Sequence, residues 1–195
     1  VAEVAGFKAF KGLINAVLRR ISREAPEPAD NPGKLNTPAW LWNSWVAAYG
    51  EAEAARIATA HLSEGPLDIS VKTDPELWAE RLEAEILPTG ALRRVAGGDI
   101  RALPGFEEGA WWVQDAAAQL PAKLMGDVRG KSVVDLCAAP GGKSAQLAAA
   151  GARILALDSS ATRLKRLEEN MARLDLDIEV CAGDAGTWQP PFPVD

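Results

Sequence analysis

The stretch from Ser132 to Asp158, SVVDLCAAPGGKSAQLAAAGARILALD, restricts the fold more than any other part of this chain. Val133-Val134-Asp135-Leu136-Cys137 is a short apolar, β-branched run and reads as a buried strand of a parallel sheet. Ala138-Ala139-Pro140-Gly141-Gly142 turns the chain. Lys143 to Ala150 follows with good helix formers, and Gly151 stands where a helix C′ residue belongs. Arg153 to Leu157 is a second apolar run, ending on Asp158. Strand, glycine turn, helix, strand and acid make the nucleotide half-site of a doubly wound α/β domain.

Each part of that half-site has a chemical reason. Adjacent glycines let a ligand approach backbone that a Cβ would cover, and the following helix offers unpaired N–H groups. A carboxylate at the tip of the second strand, 16 residues after Gly142, accepts both hydrogens of a ribose diol. Three ligands use such sites. A dinucleotide favours G-x-G-x-x-G, which this turn lacks. A nucleoside triphosphate asks for G-x-x-x-x-G-K-[ST]; Cys137 to Ser144 matches except that Cys137 replaces the first glycine, and Pro140 removes an N–H donor. S-adenosylmethionine has no phosphate and asks mainly for close approach and a ribose acid, so it fits best.

Asp135-Leu-Cys-Ala-Ala-Pro-Gly-Gly-Lys143 resembles the cofactor motif of the RsmB/Sun family of RNA cytosine-C5 methyltransferases. Pro104-Gly-Phe-Glu-Glu-Gly109 with Val113-Gln114-Asp115 is similar to that family's segment before the methyltransferase domain. Phe10-Lys-Gly-Leu-Ile-Asn-Ala-Val-Leu-Arg19 resembles the last helix of its NusB-like RNA-binding domain. The resemblance implies a partial Rossmann-like, class I methyltransferase domain of α/β fold, preceded by a small α+β module. It implies S-adenosylmethionine as cofactor, held by Cys137, Ala138, Ala139, Pro140, Gly141, Gly142, Lys143, Asp158 and Asp184, the last meeting the adenine amino group. It also implies small-subunit rRNA as partner, a cytoplasmic location, and formation of 5-methylcytosine through a cysteine thiolate that adds to C6 of the base. In the family the catalytic cysteines lie beyond the fourth strand, which would begin near Pro190–Asp195. Cys137 and Cys181 match neither position, so no catalytic residue is assigned. The expectation is a fragment of a longer polypeptide, in which that fourth strand would cover the edge of Val133–Cys137. A non-catalytic RNA-binding or assembly factor and a P-loop-like nucleotide-binding protein remain as alternatives.

Bulk properties exclude other classes. Apolar residues make up 48% and charged residues 25%, ordinary for a globular protein. No apolar run approaches the ~20 residues of a membrane span. Two cysteines and one histidine show no metal-ligand spacing, so no metal is expected. The net charge of −6 is awkward for an RNA binder, but residues 1–23 carry +4 and leave −10 to the rest.

In chain order, four segments are expected: 1–25, the end of the NusB-like helical domain; 26–38, a proline-rich linker; 39–108, a small helical and α+β RNA-binding module; and 109–195, the start of the methyltransferase domain. Phe7, Phe10, Ile14, Val17 and Ile21 form a helical stripe that wants a partner helix. Thr37 is expected to cap a helix starting at Pro38, and Asp74-Pro75-Glu76 to start another with Trp78, Leu82 and Ile86 inward. Pro66–Lys72, Ala91–Ala96 and Asp99–Leu103 are strand candidates. Trp40, Trp42 and Trp45 read either as core or as base-stacking rings, and His61 as a surface residue. Lys72, Arg93, Arg94 and Arg101 read either as an RNA groove or as ordinary surface charge. Ser159 or Ser160 should cap a helix carrying Leu164, Leu167, Met171 and Leu174, followed by a third strand, Asp177–Ala182.

Overall fold

Prolines, glycines and capping side chains cut the chain into short elements. The computed structural model describes residues 8–24, 30–95 and 98–195, and divides the chain into a unit ending at Glu64 and a unit from Gly65 to Asp195.

The first unit is helical. A 3₁₀ turn at Lys8–Phe10 leads into α1 (Lys11–Glu24), followed by α2 (Pro32–Asn36), α3 (Ala39–Tyr49) and α4 (Glu51–Ala60). Phe10, Val17 and Ile21 of the expected stripe are exposed, while Phe7 lies outside the described residues. Part of the expected linker is helical instead. Asn31 accepts a hydrogen bond from the Lys34 N–H, and Pro32 fills the first turn, where its missing N–H costs nothing. Thr37 does not cap α3; its hydroxyl donates to the Gly33 carbonyl at 2.7 Å and so closes α2. Pro38 takes the cap position of α3. Trp42, Ala54 and Ala58 form a small core, with Trp45 packed at its side. Gly33 lies against Ala58, where a Cβ would come within 2.8 Å of backbone.

The second unit holds two sheets. Its elements are β1 (Leu67–Val71), α5 (Pro75–Arg81), β2 (Glu85–Ile86), β3 (Leu92–Arg94), β4 (Trp111–Val113), α6 (Leu120–Leu124), β5 (Ser132–Asp135), α7 (Gly142–Ala149), β6 (Arg153–Asp158), α8 (Ala161–Leu174) and β7 (Glu179–Ala182). An antiparallel sheet runs β2-β3-β1-β4 and a parallel sheet runs β5-β6-β7. Val133 stands opposite Ile154, and Leu157 opposite Cys181. The second sheet is the partial Rossmann-like arrangement the sequence implies: β6 is buried along its length after Arg153, as a central parallel strand must be.

Several local expectations change. Trp111–Val113, expected to open the methyltransferase part, pairs with β1 and belongs to the antiparallel sheet. Asp99–Leu103 is not a strand, because the Asp99 carboxylate accepts the Arg101 N–H and winds Ile100–Ala102 into a 3₁₀ turn. Asp74 sits at φ 52° and makes no side-chain cap bond. Helix α5 ends at Arg81, and Glu83 at φ 50° sends Ile86 into β2 rather than onto a helical face. Pro121 divides its region into a 3₁₀ turn, Ala117–Gln119, and α6, with the Asp115 carboxylate capping the turn through Ala117 and Ala118. Ser160 caps α8, and Leu164, Leu167, Met171 and Leu174 are its buried face.

Candidate functional site

The three parallel strands end side by side, and their C-terminal tips carry the turn, Asp158 and Asp184. Strand β5 delivers the chain into Leu136–Gly141 and then into α7. Asp135 fastens both ends of this bend, accepting the Ser144 hydroxyl at 2.9 Å and the Cys137 N–H at 3.4 Å. The bend's own donors face inward: Ala138 N–H to the Leu157 carbonyl at 3.0 Å, Ala139 N–H to Asp158 Oδ2 at 3.2 Å, and Gly141 N–H to the Ala138 carbonyl at 2.8 Å.

The two glycines have different reasons to be glycine. Gly141 has φ +108°, and a Cβ there would stand 2.9 Å from Met171 Cε and 3.3 Å from Leu167 Cγ. The positive φ demands glycine, and the tight fit against Leu167 and Met171 of α8 adds to it. At Gly142 the nearest described atom to a Cβ would be Gln114 Cγ at 3.6 Å, ordinary contact, so the protein itself does not require glycine there. The N–H groups of Gly142, Lys143 and Ser144 open α7 and find no acceptor among the described residues, which leaves the positive end of the helix free.

Asp158 is buried, and its carboxylate is partly engaged. Oδ1 accepts the Ser160 N–H at 3.0 Å, and Oδ2 accepts Ala139 N–H and lies 3.4 Å from Arg163 Nη1. A carboxylate has about four acceptor directions. The backbone takes two of Asp158's and the Arg163 guanidinium lies at a third, so a diol would share the group. Asp184 is exposed beyond β7, where it accepts the Gly186 N–H, and the adjacent Gly183 N–H binds the Asp158 carbonyl. A cavity of about 420 Å³ is lined by Cys137 through Lys143 together with Phe106, Trp112, Gln114, Asn170 and Arg173. Neither Asp158 nor Asp184 lines it, so the bend has two sides: one toward the acids, one toward this cavity. Lys143 and the Cys137 thiol are exposed, whereas Cys181 is half-buried in β7.

Three supports escape a reading of the motif alone. Arg163 donates to the Ala139 carbonyl, and Asn170 Nδ2 to the Pro140 carbonyl at 2.9 Å. The only sequence signal for them is their place on α8, one turn before and one turn after Leu167. Gln114 is buried with a partner at each polar atom: its Oε1 accepts from Ser70 Oγ at 2.7 Å and Trp112 Nε1 at 2.9 Å, and its Nε2 donates to Gln146 on α7 at 2.9 Å. Asp68 joins the strands to the same segment, accepting Arg93 through both oxygens at 2.7 and 2.8 Å and the Ala116 N–H at 2.9 Å. The Arg93 hydrogen bonds hold the Asp68 carboxyl below its usual pKa, against the opposing effect of burial. Three of the four basic residues weighed as an RNA groove make internal bonds: Arg93 to Asp68, Arg94 to the Leu82 carbonyl, and Lys72 to the Leu174 carbonyl. Burial also pulls the Arg173 guanidinium below its ordinary pKa, while its Nη1 ties α8 to the Phe106 and Trp111 carbonyls.

A parallel βαβαβ sheet with a glycine bend after its first strand and an acid at the tip of its second defines a partial Rossmann-like methyltransferase domain. At the level of family, residues 123–191 of this chain match the family described as 16S rRNA methyltransferase RsmB/F. It is 36% identical over 193 residues to the ribosomal RNA small subunit methyltransferase B of Vibrio cholerae, covering 90% of this chain and 44% of that protein. The protein of the same name from Pseudomonas putida is 38% identical over 193 residues, with 90% and 44% covered. The chain thus spans less than half the length of these relatives. Among solved structures, PH0851 superposes with a TM-score of 0.66 at 25% identity, over 83% of this chain and 41% of that one. A methyltransferase homolog protein from Pyrococcus horikoshii superposes at 0.62 and 22% identity, over 82% and 58%, a likeness of fold. Among the described residues no helix is long and apolar enough to cross a membrane, and no three His, Cys, Asp or Glu side chains are grouped to hold a metal ion.

Proposed function

We propose that this chain forms the cofactor-binding half of an S-adenosylmethionine-dependent methyltransferase that acts on cytosine C5 of small-subunit rRNA in the cytoplasm. The observation that carries the reading is the junction of the bend with Asp158 through Ala139 N–H at 3.2 Å, which sets an acid beside a bend free of bulky side chains. The relatives' names, ribosomal RNA small subunit methyltransferase B, support rRNA as substrate. When bound, the cofactor supplies a sulfonium methyl group. In this reading Asp158 accepts from the ribose diol and Asp184 from the adenine amino group. The unpartnered N–H groups at the start of α7, with Lys143, receive the cofactor's carboxylate. Gly142 keeps the wall thin where close approach is needed.

The same geometry disfavours a triphosphate. A phosphate-wrapping loop points successive N–H groups at its ligand. Here Ala138, Ala139 and Gly141 point theirs at Leu157, Asp158 and Ala138, and Pro140 has none. We assign no nucleophile within the chain, since Cys137 belongs to the cofactor bend and Cys181 to β7. We propose 1–25, 26–38, 39–108 and 109–195 as NusB-like end, linker, RNA-binding module and methyltransferase part, although α2 lies inside the second, the unit boundary at Glu64 inside the third, and β4 of the fourth pairs with the antiparallel sheet. The basic residues of α1 are the support for an RNA-facing role at the first.

Titration calorimetry with S-adenosylhomocysteine tests this. Micromolar binding is expected, with at least a tenfold loss in Asp158→Ala, as deletion of a charged acceptor predicts. Binding of ATP with magnesium in preference to S-adenosylhomocysteine would overturn the assignment. RNA binding with neither ligand would favour the assembly-factor reading.

A further inference from the structure

Residues 138–141 of the bend are Ala, Ala, Pro and Gly. None carries a polar side-chain atom, and Pro140 also lacks an N–H, so the bend has little with which to hold its own shape. Asp135 ties its two ends and its N–H groups are bonded, but the Ala139 and Pro140 carbonyls are held from α8. One face of α8 meets it in order. Arg163 donates to the Ala139 carbonyl, Asn170 donates to the Pro140 carbonyl at 2.9 Å, and Leu167 and Met171 close over Gly141. These positions follow the i, i+4, i+7 spacing of a single helical stripe. Arg163 Nη1 also lies 3.4 Å from Asp158 Oδ2, so one guanidinium spans both walls of the acid side.

We propose that α8 is the template for the cofactor bend, and that Arg163 and Asn170 are positioning residues for whatever the bend holds. The ligand in this proposal rests on the cofactor reading above; the templating itself does not. Asn170 grips the peptide whose Gly141 N–H closes back on the Ala138 carbonyl, and Arg163 grips the Ala139–Pro140 peptide, next along the chain from the one whose Ala139 N–H reaches Asp158. Loss of either donor frees the carbonyls and lets the peptides reorient.

The test uses the complete 195-residue chain with Arg163→Ala, Arg163→Lys, Asn170→Ala and Asn170→Asp, each first shown folded by circular dichroism. Two readouts follow: amide hydrogen exchange at Ala139, Gly141 and Gly142, and calorimetric affinity for S-adenosylhomocysteine. Arg163→Ala and Asn170→Asp should each speed exchange at the bend and weaken the ligand by about tenfold, one lost hydrogen bond's worth, with Leu155–Leu157 of β6 unchanged. Asn170→Asp should be worse than Asn170→Ala, because it sets a carboxylate against the Pro140 carbonyl, and Arg163→Lys should recover part of the loss. Equal behaviour of Asn170→Asp and the unaltered protein overturns the proposal, as does a uniform rise in exchange across α8 and β6, which would mark general packing. Should the unaltered chain take up no S-adenosylhomocysteine, the cofactor reading fails, and exchange at the bend alone still decides the templating.

Discussion

Asp68 shows how a single carboxylate, far in sequence from the motif, serves it. Lodged in β1, it grips Arg93 on β3 and the Ala116 N–H just after Gln114, and so fixes the segment that lines the cavity. Its pKa is depressed chiefly by the Arg93 hydrogen bonds, so the folded state releases this proton more readily than the unfolded chain does. The stabilisation is then complete above the unfolded value of about 3.9 and is lost as pH falls through the lower folded value. Asp68→Asn is therefore expected to lower the melting temperature at pH 7, with the gap to the unaltered protein closing below about pH 4. Thermal melts across pH 3 to 7 check this; a constant gap would show that the charge is not involved.

At the scale of elements, α8 is the organiser. Its buried leucines complete the core of the parallel sheet, its polar face holds the bend, and its last turn receives Lys72 and Gly109 and sends Arg173 to the Phe106 carbonyl. Gly109 has φ +62°, and a Cβ there would lie 1.9 Å from the Arg173 carbonyl oxygen. Backbone cannot yield as a side-chain tip can, so Gly109→Ala should destabilise by about 3 kcal/mol or more, read from denaturant midpoints. Gly142→Ala, with only ordinary contact at 3.6 Å, should leave stability within about 1 kcal/mol while weakening S-adenosylhomocysteine. Ser160→Ala removes the α8 cap and should cost about 1 kcal/mol. The glycine pair looks uniform in the motif, and only the backbone angle and packing of the fold separate a glycine the bend itself requires from one left for a ligand.

For the whole molecule, the cores are unequal. The helical unit buries Trp42, Ala54 and Ala58, whereas the parallel sheet and its helices bury a far larger set that includes Leu147, Ile154, Leu164, Leu167, Met171 and Leu174. Opening free energy follows buried apolar surface. Native-state hydrogen exchange should therefore show α3 and α4 opening at lower free energy than β6 and α8. Equal protection in the two units would contradict this.

The parallel half of the fold was legible because its signals are local: β-branched runs, a glycine bend and capping serines dictate backbone conformation within a few residues of themselves. For the same reason Cys137–Lys143 and Asp158 stand out as a candidate site in the sequence itself. The antiparallel sheet was harder to read, since its strands are two to five residues long and β4 is claimed by pairing with β1, more than forty positions away. Asp99 and Thr37 likewise gave their side chains to nearby backbone instead of to the elements their residue types favour. Which carbonyls α8 grips, and how much of Asp158 is already engaged, depends on distances between residues brought together only by folding. Residue order specified the local conformations; long-range packing chose the partners.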